Sequence, residues 1–138
     1  MRGRPIVLTD TDVRRLRDEI RVARSSWATY TPAVDILEAR LRRAQIVAPV
    51  AALRDTVTMN SRFQVRDLRS DETETLTLVY PLEADHQQQK VSVLSPAGLA
   101  ALGAQVGDFI AWSDADESRS ARIEGLLYQP EAAGHRHL

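Results

Sequence analysis

Hydrophobic residues recur at helical spacing in two segments of the first third of the chain. In the first segment they follow Thr9 and Thr11, either of which can cap a helix, and in the second they begin near Pro32. The apolar positions are Val13, Leu16, Ile20 and Ala23 in the first segment, and Val34, Leu37, Leu41 and Ala44 in the second. A short polar segment separates the two, so the pattern predicts an antiparallel helical hairpin that ends before Pro49.

From Val57 onward the apolar residues alternate with polar ones, which is the pattern of half-buried strands. The alternating positions are Phe63 and Val65, then Leu76, Leu78 and Tyr80, and finally Ala121, Ile123 and Leu127, with a bulge expected at Gly125. Polar turns separate these segments. The pattern predicts five or six antiparallel strands around one short helix, which is an α+β fold.

The stretch from Lys90 to Trp112 has the most consistent local signals. Ser95 stands where a helix cap belongs, and Pro96 stands at the first helical position, where its missing N–H costs nothing. Gly103 can take the left-handed conformation that ends a helix. The stretch therefore predicts a strand, a capped short helix, a tight turn and another strand.

The 138 residues allow one ordinary domain, or a small domain with an appendage. Residues 1–54 hold 11 arginines against 6 acidic residues, whereas residues 55–138 hold 7 basic against 13 acidic residues. We therefore divide the chain into a basic helical hairpin, residues 1–48, and an acidic body, residues 49–138. Because Pro49 interrupts the second helix and short hairpins are marginal alone, we expect the hairpin to melt before the body.

Cellular location can be anticipated from composition. The chain has no cysteine, no apolar run that approaches the roughly 20 residues of a membrane span, and no apolar leader after Met1. We expect a cytoplasmic protein, a monomer, with no contact to membranes.

Several motifs of the body resemble those of a known family. They are the segments VTMNSRFQVRDL (57–68), LTLVYPLEAD (76–85), SPAGLAALG (95–103) with the following VGD (106–108), and RIEGLLYQPEAAG (122–134). The combination is similar to the Rnk proteins, the regulators of nucleoside diphosphate kinase, and to the carboxy-terminal domain of Gre-type transcript cleavage factors. The resemblance covers roughly Ala44 to Gly134 well and implies an FKBP-like body.

The resemblance also implies a partner, bacterial RNA polymerase. Gre-type domains dock with their serine–proline segment on the helical coiled coil at the rim of the polymerase secondary channel. Carried over to this chain, the docking residues are Leu94, Ser95, Pro96 and Gly98. The implied function is a non-catalytic transcription regulator that occupies this rim and competes there with other channel factors.

An alternative is a transcript cleavage factor, because Gre factors deliver carboxylates from the hairpin tip to the polymerase active centre. Asp35 and Glu38 lie three residues apart, so they share one helix face near the predicted tip. Acidic residues in a first helical turn also simply favour the helix dipole, and Arg42 is a plain i,i+4 partner for Glu38. The short arms of the hairpin favour this structural explanation.

Three further hypotheses have less support. The family name suggests direct action on nucleoside diphosphate kinase, and the arginine-rich hairpin suggests weak nucleic-acid contact. The FKBP-like topology suggests prolyl isomerase activity, but the seven aromatic residues mostly fall at strand positions that core packing explains.

Metal and nucleotide chemistry have little support in the sequence. His86, His135 and His137 lack a third ligand at suitable spacing, and the glycines form no phosphate-binding loop. We expect neither enzymatic activity nor a cofactor.

Overall fold

The structure, a computed structural model, describes residues 6–25, 32–47, 55–114 and 117–129. Its helices are α1 (Asp10–Arg24), α2 (Pro32–Arg42) and α3 (Pro96–Ala101). Its strands are β1 (Val7–Thr9), β2 (Gln45–Val47), β3 (Arg62–Asp67), β4 (Thr73–Val79), β5 (Lys90–Ser92), β6 (Phe109–Asp114) and β7 (Glu117–Tyr128). The predicted α+β class is confirmed.

Five of the strands form one sheet in the order β5-β4-β3-β7-β6. All neighbours are antiparallel except β4 and β5, which are parallel, so the prediction of a wholly antiparallel sheet is wrong. Two short 3-10 helices, Pro81–Glu83 and His86–Gln88, lie between β4 and β5, and they return the chain so that β5 runs in the direction of β4. A separate parallel pair, β1 and β2, joins the segments before α1 and after α2.

The last strand contains the predicted bulge. Its register against β3 shifts opposite Gln64 and Val65, where Gly125 and Ile123 are the paired residues. This one-residue shift moves the inward position from Leu127 to Leu126, so Leu127 is 56% exposed. Leu126 packs against the core instead. A second shift follows between Leu126 and Tyr128. The apolar pattern that grouped Leu127 with Ala121 and Ile123 therefore fails at this one position, because each bulge adds a residue to the alternation.

The helices bury the stripes that their periodicity predicts, except that α2 ends at Arg42 and the predicted member Ala44 lies beyond it, half-buried against the core. Val13, Leu16, Ile20 and Ala23 of α1, and Val34, Leu37 and Leu41 of α2, are buried. They belong to the same hydrophobic cluster as the sheet residues Phe63, Leu78 and Ile123. This continuous core argues against separate melting of the helices, since any opening between helices and sheet would expose apolar surface on both sides.

A buried polar contact also joins α1 to the body. Thr9 caps α1 by accepting a hydrogen bond from the Asp12 N–H at 3.1 Å, as one of the two predicted caps. The buried Asp12 carboxylate accepts a hydrogen bond from the Met59 N–H, also at 3.1 Å. Asp12 therefore does more than favour the helix dipole.

The proposed boundary between residues 48 and 49 lies outside the described residues and stays a prediction.

Among the described residues, no helix is both long and apolar enough to cross a membrane.

We predict that helices and sheet unfold together. Leu37→Ala removes a fully buried side chain, with 0% exposure, and should lower the free energy of unfolding by about 2–5 kcal/mol. Amide hydrogen exchange should then accelerate equally in α1 and in β3 and β7. The control is Ile36→Ala at the neighbouring position, which is 48% exposed and should change the free energy by less than about 0.5 kcal/mol. Faster exchange confined to the helices would show that the hairpin is a separate unit.

Candidate protein-docking site

Helix α3 begins at a rigid cap beside strand β5. The Ser95 hydroxyl accepts a hydrogen bond from the Gly98 N–H at 3.1 Å and donates one to the Ser92 carbonyl at 2.6 Å. Pro96 occupies the first helical position with its φ fixed by the ring. The predicted cap is confirmed, and it holds the start of α3 in one orientation.

Gly98 allows α3 to lie directly against β5. A Cβ atom at this position would lie 1.9 Å from the Ser92 carbonyl oxygen and 3.0 Å from the Val93 Cα. Both of these are backbone atoms, so no side-chain movement could relieve the clash. Gly98 is therefore a residue of close backbone approach, and it is buried.

The four residues implied by the family resemblance lie together but have different surroundings. Leu94 is half-buried and packs against the core. Ser95 is half-buried where it caps α3, and Gly98 is buried within α3. Only Pro96 among the four is exposed. The role of these residues in docking stays a prediction.

A groove of about 460 Å³ borders this exposed proline. The residues that shape it include Leu76, Val91, Pro96, Ala97, Trp112 and Arg119. The Arg119 guanidinium lies over the Trp112 ring, 5.3 Å from its centroid, so a half-buried aromatic and a cation share one wall. The groove is lined by both apolar and charged side chains, as protein-binding surfaces are.

Trp112 and Arg119 were not predicted as site residues, because the aromatic residues were assigned mainly to the core. Strands β6 and β7 pair so that Ser113 lies opposite Ser118 and Trp112 lies opposite Arg119. A hairpin centred on the polar segment 113–118 of the sequence gives this cross-strand pair directly. Phe109 is a further correction to the core assignment, since it is 60% exposed.

Two carboxylates fix Arg119 in the groove wall. Its guanidinium lies 3.4 Å from the Asp67 carboxylate and 3.4 Å from the Glu74 carboxylate. The backbone N–H groups of Ser70 and Arg69 lower the pKa of Asp67, and Arg119 lowers it further, so Asp67 stays ionised under ordinary conditions. Lys90, the one lysine of the chain, lines the same groove.

The carboxylates of the alternative hypothesis are held by arginine. The Arg24 guanidinium lies 2.5 Å from the Asp35 carboxylate and 2.9 Å from the Glu38 carboxylate. Arg42 lies 3.1 Å from Glu38 in the expected i,i+4 pair. Two guanidinium groups thus neutralise this acidic pair, which would have to break these contacts to ligate a metal.

The histidines give no metal site in the described part of the chain. His86 is exposed in the second 3-10 helix, and His135 and His137 lie outside the described residues. No group of three or more His, Cys, Asp and Glu side chains converges within the described ranges.

Comparison with known proteins shows the family. Residues 51–128 match the family model described as transcription elongation factor, GreA/GreB, C-term. The chain is 38% identical over 130 residues to the regulator of nucleoside diphosphate kinase of Escherichia coli (strain K12). The matched region covers 94% of this chain and 93% of that protein. It is also 38% identical over 88 residues to transcription elongation factor GreA of Alkaliphilus oremlandii, which spans 64% of this chain and 55% of that protein.

A solved structure supports the same relationship in three dimensions. The prokaryotic transcription elongation factor GreA/GreB from Nitrosomonas europaea superposes with a TM-score of 0.76 at 35% sequence identity. The match spans 91% of this chain and 100% of that one, so the likeness extends beyond the carboxy-terminal body to the helices.

We predict that Gly98→Ala destabilises the protein and Gly125→Ala does not. The new Cβ at position 98 would clash with the Ser92 carbonyl, and overpacking of this kind costs about 1–3 kcal/mol or more. At Gly125 a Cβ has no neighbour within 4 Å. Urea unfolding of the two variants measures the difference. Equal stability of both variants would contradict the close approach of α3 to β5.

Proposed function

The chain belongs to the family that contains the GreA/GreB carboxy-terminal domain and the regulators of nucleoside diphosphate kinase, and from this we propose that it regulates transcription by binding RNA polymerase. The dock is the rim of the secondary channel, and the protein acts by occupying it, without catalysis of its own. This proposal assumes an antiparallel helical hairpin on an FKBP-like body. It also assumes that the protein is located in the cytoplasm.

The position of Pro96 supports the proposal most directly. It is the exposed member of a capped, partly buried segment, and it borders a groove in which Arg119 is paired with Asp67 and Glu74. A preorganised edge of this kind loses little conformational entropy on binding. The acidic body adds long-range attraction to a basic partner surface.

The ion pairs of Arg24 favour this proposal over the cleavage-factor alternative. Asp35 and Glu38 would need to act as metal ligands in that alternative, but both contact Arg24 and one also contacts Arg42. The loss of the ion pairs with Arg24 and Arg42 would offset part of the free energy gained by binding a metal ion. Occupancy of the rim requires no such rearrangement.

Weak contact with nucleic acid is a secondary part of the proposal. A groove between α1 and α2 of about 470 Å³ is lined by Arg17, Arg21, Arg24 and Arg42, with Glu38 as its acidic member. Arg24 and Arg42 pair with Asp35 and Glu38, and Arg21 pairs with Asp18, so Arg17 is the guanidinium group best placed to reach phosphate oxygens. Such contact would follow docking, when the nucleic acid of the polymerase lies close.

We predict that Pro96→Arg abolishes most of the polymerase affinity while the protein stays folded. The substitution places a bulky cation on the exposed docking edge, next to Lys90 and Arg119 in the groove wall. Fluorescence anisotropy with labelled protein measures the affinity, and thermal unfolding measures the fold. Ala111→Arg, an exposed change on β6 away from the groove lining, is the control and should bind normally.

Lys90 provides an independent test of the same surface, because it is the only lysine side chain. An amine-reactive crosslinker should join the wild-type protein to polymerase through Lys90, and Lys90→Arg should remove that crosslink and keep binding. Binding by both proteins with no crosslink at Lys90 would place the dock elsewhere.

We predict no stimulation of transcript cleavage. Backtracked polymerase complexes with excess protein should cleave their RNA no faster than polymerase alone, because Asp35 and Glu38 are held by arginine. Transcript length on denaturing gels measures the rate. Acceleration that Asp35→Ala abolishes would make the cleavage factor the correct function.

A further inference from the structure

The Arg40 side chain makes a hydrogen bond between helix α2 and helix α3. The Arg40 guanidinium donates a hydrogen bond through Nη1 to the Leu99 carbonyl oxygen, between residues 59 positions apart in the sequence. Leu99 lies in the last turn of α3, the helix whose first turn carries Pro96. The contact therefore joins the helical part of the chain to the element that forms the docking edge.

The Leu99 carbonyl is available because the chain turns away at Gly103. In a longer α-helix the Gly103 N–H would donate to Leu99, four residues earlier. Here Gly103 has a φ of 81° and its N–H donates to the Val57 carbonyl at 2.9 Å instead. The last turn of α3 thus has a carbonyl without its helical donor, and Arg40 supplies the replacement.

The surroundings of Arg40 give this hydrogen bond more weight than an exposed one. Arg40 is half-buried, and burial lowers the pKa of its guanidinium, which nevertheless remains charged at neutral pH. A charged donor to a helix C-terminal carbonyl also complements the negative end of the helix dipole. The exposed Arg43, three residues later on the chain, is the natural comparison because no ion pair or hydrogen bond of its side chain is present among the described residues.

We propose that Arg40 is a positioning residue for polymerase binding, which braces the end of α3 and so sets the orientation of the Pro96 edge. This proposal rests on the proposed function and adds a role for the helices in docking. They would control affinity through α3 without touching the partner at this point. The close approach at Gly98 fixes one side of α3, and Arg40 fixes its end.

The experiment uses three variants of the full chain. Arg40→Met keeps most of the apolar stem and removes every side-chain donor, and Arg40→Lys restores one charged donor. Arg43→Met, one residue after the end of α2, is the control. Polymerase affinity is measured by anisotropy, and amide hydrogen exchange is measured in the unbound proteins. The amide exchange rates distinguish a local role of Arg40 from general destabilisation, because general destabilisation would accelerate exchange in α3 and in the sheet together.

We expect Arg40→Met to raise the Kd for polymerase about fivefold or more, with Arg40→Lys between it and wild type and Arg43→Met unchanged. Amides of residues 99–102 should exchange faster in Arg40→Met, by more than the change in β3 and β7. A folded Arg40→Met that binds as well as Arg43→Met would overturn the proposal. If the wild-type protein does not bind polymerase, the proposed function is wrong. The exchange rates of the α3 amides would still test whether Arg40 holds the end of α3 in place.

Discussion

The close packing of α3 on strand β5 at Gly98 is the contact on which the candidate docking site depends. It brings the Ser95 cap over the Ser92 carbonyl, places Pro96 at the margin of the groove, and aims the last turn of α3 at α2. Any side chain at position 98 would push α3 away from the strand. Backbone packing therefore sets the orientation of the candidate docking edge, at which Pro96 is the exposed residue.

Features encoded by neighbouring residues could be predicted from the sequence. The Ser95 cap, the left-handed Gly103 and the buried stripes of α1 and α2 depend on contacts within a few positions, and all are present. The bulge at Gly125 was also predicted, but its effect on the following alternation, which turns Leu126 inward and exposes Leu127, was not. The three-residue strands β1 and β2 are too short for their alternation to be recognised.

Features that join distant residues could not be predicted. The parallel pairing of β4 with β5, the Asp12 contact to Met59 and the Arg40 contact to Leu99 depend on how the chain returns to itself. Acidic residues near helix starts show the same limit. Asp12 and Asp35 carry one local signal, yet the first is buried against the body and the second pairs with Arg24 at the surface.

We propose that the α3 edge of this chain occupies the site on RNA polymerase that Gre-type factors use. A competition measurement tests it most directly: labelled GreA bound to polymerase is titrated with the unlabelled full chain. Displacement by wild type but not by Pro96→Arg is the predicted result. Simultaneous binding of both proteins, or equal displacement by the variant, would contradict the account.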